Sequence, residues 1–306
     1  NAQILKILDS EIKYIKDIEI QAKGIVSGFI SGMHHSPYHG FSVEFAEHRP
    51  YLEGDNLRFL DWKQYARTGK QLTKQYEDDT NLRCHFILDA SASMFYPESY
   101  SKIKTAVYAI ASIIELLRNQ RDAFGLSLIQ DQALHLFSEK STKTHVQQIR
   151  LRLAALLASA PVPHNSPDTT LHYIAEHLKK QALIVIFTDG FFTEASMPAF
   201  EHALQHFKHN QHDVIVFHVL DEATEVQFNF ENQLYRFIDL EQQSEIKINP
   251  QALKNIYQNE MHSFLKKWET VCQKYSFDYF KLHAGNNYNA LLHAFLQKRN
   301  RLKRRL

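Results

Sequence analysis

Apolar and polar positions follow two rhythms along the 306-residue chain, and the rhythms separate strands from helices. Four short runs, "RCHFILD", "AFGLSLI", "ALIVIFTD" and "DVIVFHVLD", are apolar at nearly every position. A strand with one wet face alternates, whereas a strand covered on both faces does not. These runs therefore predict strands buried between two layers. Elsewhere the apolar spacing changes to three and four. Ile103, Ala106, Val107, Ile110, Ile113, Ile114 and Leu117 recur at that step after the first run. Leu253, Ile256, Tyr257, Met261, Phe264, Leu265 and Trp268 do the same behind Pro250. Strands separated by helical periods predict an α/β domain, with a mostly parallel sheet covered by helices on both faces. "FGLSLIQDQALHLFS" reads as two strands joined by a tight polar turn. "FDYFKLHA" followed by "NYNALLHAFLQKR" reads as an edge strand and a closing helix.

The N-terminal part keeps neither rhythm for long. An amphipathic helix with Ile4, Leu5, Leu8, Ile12 and Ile15 leads into a stretch from "SGFISGMHHSPYHG" onward that mixes Gly, Pro, aromatics and both charge signs. That stretch is too aromatic for a disordered linker. Residues 1–80 are therefore expected to form a helix and an irregular, ordered appendage, packed on a main domain at 81–300. The ending "KRNRLKRRL" is basic, and residues 301–306 are expected to be a solvated tail.

Composition removes several classes of function. Lys and Arg number 35 against 34 Asp and Glu, a formal net charge of +1, so no global field draws the chain to nucleic acid or an anionic membrane. Two cysteines, Cys84 and Cys272, are too few for a disulfide framework and fit a reducing compartment. The opening "NAQILKILDSEIKYIKDIEI" alternates apolar and charged residues, unlike a signal peptide. The most apolar helical stretch, around "YAIASIIELL", is about half a bilayer span. The expectation is a cytoplasmic protein with no membrane span. Eighteen histidines invite a transition-metal site, yet His34, His35 and His39 stand among Ser36, Pro37, Tyr38 and Gly40, a surface-loop composition. No zinc spacing with cysteine is present.

Candidate chemistry gathers where the apolar runs stop. "CHFILDASASMF" ends its strand in Asp89 and then sets Ser91 and Ser93 at every second position, with small Ala90 and Ala92 between them. In an open parallel sheet, ligands bind at the carboxyl ends of strands, where the strand order reverses. Carboxylate and hydroxyl oxygens suit a hard, small dication such as Mg²⁺, and alternate residues of a tight loop can converge on one point. A second acidic strand end is Asp189 in "IVIFTDG", and a third candidate is the pair Thr169 and Thr170 in "SPDTTL". Taken singly, these serines cap helices and Asp189 before Gly190 forms a turn. Three separate segments delivering oxygen ligands to strand ends is a stronger pattern.

Asp89-x-Ser91-x-Ser93, a later threonine and Asp189 resemble the metal-ion-dependent adhesion site of von Willebrand factor A domains. "SGMHHSPYHG", "VEFAEHRPYLEGDNLRFLDWKQYARTG" and "ILDASASM", continued by "FIDLE", "FDYFKL" and "NALLHAFLQKR", resemble the bacterial domain-of-unknown-function 58 family over nearly the whole chain. Gly54, Asp55, Arg58, Asp61, Trp62, Ala66 and Arg67 carry much of that resemblance. It implies a von Willebrand factor A-like fold with one short antiparallel strand. It also implies Mg²⁺ or Mn²⁺ held by Asp89, Ser91, Ser93 and Thr169, with Asp189 close by, often through water. The family usually has two glycines before the threonine, where Pro167 and Asp168 stand here, so Thr170 remains open as the ligand. An ion with few charged ligands favours a further anionic oxygen, which implies a binding switch completed by an acidic residue of a partner protein, with no catalytic residue. Family members are often encoded beside AAA+ ATPases of the MoxR type, the partner this resemblance implies.

Two further readings concern particular residues. The enzymatic alternative is a haloacid-dehalogenase-like phosphohydrolase, with Asp89 as nucleophile and Asp189 as a magnesium ligand. That chemistry wants a second acid two residues on, and Ser91 stands there. Neither serine sits in a Gly-x-Ser-x-Gly elbow. In "GDNLRFLDW", Asp55, Arg58 and Asp61 are expected to pair internally while Trp62 anchors the appendage by burial.

Overall fold

The computed structural model describes residues 2–34, 48–50, 62–69, 72–74, 82–130, 135–161, 167–178, 181–191, 197–242, 244–285 and 288–303. In chain order the elements are α1 (Ala2–His34), β1 (His48–Pro50), α2 (Trp62–Thr68), β2 (Leu72–Lys74), β3 (Arg83–Asp89) and α3 (Lys102–Asn119). Next come β4 (Ala123–Ile129), β5 (His135–Lys140), α4 (Lys143–Ala158), α5 (Pro167–His177), β6 (Leu183–Thr188) and α6 (Met197–His209). The chain ends with β7 (Asp213–Leu220), β8 (Tyr235–Ile238), β9 (Glu245–Ile248), α7 (Pro250–Lys274), β10 (Asp278–His283) and α8 (Tyr288–Lys303).

Six strands make the main sheet in the order β10-β7-β6-β3-β4-β5. Every pairing is parallel except β4 with β5. This is the mostly parallel, helix-covered architecture with one short antiparallel strand that the sequence predicts. Side chains along each strand divide between two cores, as the two-residue period requires. Phe86, Leu88, Phe124, Leu126, Val185 and Phe187 face α1, α3, α4 and α8. Ile87, Ile129, Ile184, Ile186, Val214 and Val216 face α5, α6 and α7. Helix starts are capped where the sequence offers an oxygen. Ser101 Oγ accepts from Lys104 N at 3.4 Å before α3, and Asn249 Oδ1 accepts from Gln251 N at 3.1 Å before α7, whose first residue is Pro250.

The N-terminal helix is longer than its composition suggests. It runs through Gly24 and Gly28 to His34, into the stretch expected to be irregular. Each interior glycine costs about 1 kcal/mol of helix propensity. Ile18, Ala22, Val26 and Phe29, spaced by four, four and three, are all buried in the core shared with α3 and α4. Burying one large apolar side chain contributes roughly 1.5–3 kcal/mol, which outweighs the glycines. The side chains of Ile4, Leu5 and Leu8 lie outside the described residues, as do residues 51–61 with the Gly54–Asp61 segment, and the Trp62 side chain.

The basic ending departs from its expected role. Helix α8 extends to Lys303, and Leu302 is buried, so residues 301–303 are not a tail. Lys298 Nζ lies 2.9 Å from both Asp213 Oδ1 and Asp278 Oδ2. Arg299 is buried and donates from Nε (2.8 Å) and Nη2 (2.5 Å) to Asp122 Oδ2. Its planar fork pins α8 to the start of β4. No described helix is long and apolar enough to cross a membrane.

Candidate metal centre

Strands β3 and β6 are neighbours, and the order reverses between them: β4 and β5 lie to one side, β7 and β10 to the other. The crevice at such a reversal is where open α/β sheets bind ligands. Asp89 is the last residue of β3, and Asp189 directly follows β6. Both are only 1% exposed.

Local hydrogen bonds shape the loop after β3. Ser91 N donates to Asp89 Oδ1 at 3.0 Å, turning the chain back over its own carboxylate. Ala92–Phe95 then forms a single 3₁₀ turn. Ala90 and Ala92 are buried. The hydroxyls of Ser91 and Ser93 come to 3.1 Å from each other. The loop thus brings the Ser91 and Ser93 hydroxyls together beside the Asp89 carboxylate. Thr188 adds a contact that sequence reasoning missed: its hydroxyl donates to Asp89 Oδ2 at 2.6 Å and accepts from Gly190 N at 2.9 Å. Gly190 has φ +66°, and a Cβ there would lie 2.5 Å from the Trp268 ring. Only glycine fits this turn.

Asp189 is held differently. Its Oδ2 accepts from Lys102 Nζ at 2.8 Å, and its Oδ1 accepts from Phe191 N at 3.3 Å. Lys102, the first residue of α3, is fully buried and also donates to Glu225 in the π-helical turn Glu222–Val226. Beneath them lies His218, whose Nε2 is 2.7 Å from the Asp189 carbonyl oxygen and whose Nδ1 is 2.7 Å from Tyr279 Oη. A carbonyl only accepts, so Nε2 carries the proton and Nδ1 accepts from the tyrosine. Burial pushes His218 down to about 4, so the ring is neutral.

Asp189 and Glu225 thus share the Lys102 ammonium. Burial and then the charge of Asp189 raise Asp89 well above the usual carboxylate range. Burial likewise raises Glu225, opposed by Lys102. Burial alone would lower Lys102, but Asp189 and Glu225 together outweigh it and raise it. An all-oxygen donor set with surplus negative charge fits a hard dication. Asp89 Oδ1 accepts from Ser91 N and Oδ2 from Thr188 Oγ1, and an oxygen of a carboxylate can take two partners. Asp189 is occupied by Lys102, an arrangement that fits a contact to the ion through water better than direct ligation.

A further carboxylate reaches the loop from far along the chain. β8 and β9 pair as an antiparallel hairpin, and Phe228, stacked 4.1 Å from Tyr257 of α7, also stacks 6.0 Å from Phe237 of β8. At its tip, Asp239 Oδ1 accepts from Glu241 N and Gln242 N, and Glu241 Oε1 accepts from Ser93 N at 2.9 Å.

Thr169 is the third residue of α5, but its side chain lies outside the described residues; Thr170 is half-buried. The side chains of His34, His35 and His39 lie outside them too, while Ala66 and Arg67 are exposed at the end of α2. Lys102, Glu225, His218 and Glu241 were not legible in advance. Only Lys102 leaves a signal: it stands one turn ahead of Ala106 and Ile110 on the apolar stripe of α3.

A profile of the family described as "Protein of unknown function DUF58" matches residues 47–263. The chain belongs to this family. Uncharacterized protein Rv1480 of Mycobacterium tuberculosis and uncharacterized protein Mb1516 of Mycobacterium bovis are each 28% identical over 148 residues, 48% of this chain and 46% of theirs. The chain spans about half the length of the curated relatives it matches. Among solved structures, the SpRpn10 VWA domain is similar over 70% of this chain and 94% of its own, at 12% identity and a TM-score of 0.39. Manganese-loaded TRAP protein of Plasmodium vivax is similar over 45% and 57%, at 16% identity and a TM-score of 0.29. The PilB minor pilin of Streptococcus sanguinis is similar over 77% and 66%, at 10% identity and a TM-score of 0.41. The fold assignment for this DUF58 chain rests on its own strand order and pairing.

Proposed function

We propose that the DUF58 chain is a metal-dependent protein-interaction module. In this reading Asp89, Ser91 and Ser93 hold Mg²⁺ or Mn²⁺, with Thr169 as a further ligand and Asp189 acting through water. The observation that carries it is the convergence of Asp89, Ser91 and Ser93 on one loop at the reversal of strand order. The ion supplies an electrophilic position that an acidic side chain of a partner completes. Glu241 supports this, because a carboxylate from a distant segment reaches the same loop at Ser93 N. The chain's own groups tie up Asp89 and Asp189 with Thr188, Ser91 and Lys102, so each is held as a ligand rather than presented as a nucleophile. By family resemblance the partner is a MoxR-type AAA+ ATPase, with remodelling of other proteins as the joint activity and the cytoplasm as its place.

The test is calorimetric titration of Mg²⁺ and Mn²⁺ into wild type and Asp89→Ala, followed by capture of the ATPase in each ion, in Ca²⁺ and in chelator. Binding is expected in wild type and lost in the variant, with capture following the ion and weaker in Ca²⁺, whose longer bonds fit a compact loop badly. Equal metal affinity in both proteins would refute the site. Undiminished capture in chelator would refute the metal bridge.

A further inference from the structure

Helices α5 and α6 pack side by side on the face of the sheet away from α1 and α3. Three imidazoles meet between them: His172 from α5, and His202 and His206 one turn apart on α6. One ring nitrogen from each lies within 4.8 Å of the others. The ring centroids are 5.4 Å apart for His172 and His202, 4.8 Å for His172 and His206, and 4.9 Å for His202 and His206. Glu176, one turn after His172, places Oε1 3.4 Å from His172 Nε2. His172 and His206 are half-buried, and His202 is exposed.

We infer that His172, His202 and His206 form a site for a borderline transition-metal dication such as Zn²⁺, bridging α5 and α6. Imidazole nitrogen is a preferred ligand for such ions, and a His pair at i, i+4 presents both rings on one helix face. With Zn–N bonds of about 2.0–2.1 Å, tetrahedral ligands stand roughly 3.4 Å apart. The rings here need to close by little more than an ångström, within reach of a side-chain rotation at exposed His202. Glu176 is placed either to take the fourth position or to orient His172 from outside it. Burial and then the neighbouring His172 and His202 hold His206 below the ordinary histidine range, which keeps its lone pair available.

The site is chemically separate from the strand-end loop, one offering nitrogen ligands and the other oxygen. Its place in the fold gives it a structural consequence. Helix α5 precedes β6 and α6 follows it, so the ion ties together the two helices flanking the strand that ends in Thr188 and Asp189.

The experiment titrates tag-free full-length protein with ZnCl₂ by calorimetry and with Co²⁺ by visible absorption. The proteins compared are wild type, His202→Ala, His206→Gln, Asp89→Ala and His262→Ala, the last an exposed histidine on α7. One equivalent of Zn²⁺ is expected to bind wild type, Asp89→Ala and His262→Ala. His202→Ala and His206→Gln should bind it at least about tenfold more weakly and lose the Co²⁺ band. Thermal melts in chelator establish that both variants are folded, and Zn²⁺ should raise the melting midpoint of wild type but not of His202→Ala. Equal Zn²⁺ affinity in wild type and His202→Ala would overturn the inference. So would loss of the Zn²⁺ equivalent in Asp89→Ala, which would move the ion to the strand-end loop.

Discussion

Lys102→Met removes the ammonium that Asp189 and Glu225 share while keeping the length of the side chain. Little cavity forms, so the loss is electrostatic. At 2.8 Å and an effective dielectric of about 20, attraction to Asp189 alone is roughly 6 kcal/mol before desolvation is counted. Leaving a buried charge without its partner costs about 3–5 kcal/mol net. A domain is stable by only about 5–15 kcal/mol, so a large share of its stability is lost. The sign of the pH dependence follows from Glu225, which burial already raises and Lys102 lowers. Without Lys102 its folded-state pKa rises further above the unfolded value. Stability from such a group is fully present below the unfolded carboxylate pKa, near 4.3, and is lost as pH rises through the folded value. The deficit against wild type should therefore be large at pH 8 and shrink toward pH 5. Urea denaturation of both proteins at the two pH values measures it. A variant within about 1 kcal/mol of wild type at pH 8, or a deficit independent of pH, would refute the reasoning.

Gly190→Ala forces a Cβ into the left-handed region and against Trp268, and should lose at least about 2 kcal/mol in the same assay. Thr188→Val keeps the shape but leaves Gly190 N unpartnered and takes a donor from Asp89; a loss of about 1–3 kcal/mol and weaker Mn²⁺ binding by calorimetry are expected.

The strands of the main sheet were legible because burial on both faces leaves a continuous apolar run, a pattern that needs no knowledge of neighbours. Asp89, Ser91 and Ser93 were legible because their convergence is local, within five residues. The pocket's other half is built from pairings across the chain: Lys102 meets Asp189 and Glu225 at separations of 87 and 123 residues, and Ser93 meets Glu241 at 148. A lone lysine or glutamate carries no sign of a partner that distant. The same blindness hid the anchoring of Lys298 and Arg299, since Asp213, Asp278 and Asp122 lie far upstream. The local pattern ends α1 early because glycines weigh against a helix, while the α3 and α4 surface that outweighs them is invisible in that pattern.

The docking of α1 has a consequence in time. Its apolar stripe, Ile18 to Phe29, is covered by helices that the ribosome makes later, the second of which ends at Ala158. At about 5–20 residues per second, the roughly 120 residues between the end of α1 and Ala158 take on the order of 6–25 s to synthesise. Until α4 has been made, part of the surface that buries Ile18 to Phe29 does not exist. Helix α1 therefore meets its full set of partners only after β3, β4 and β5 have been made.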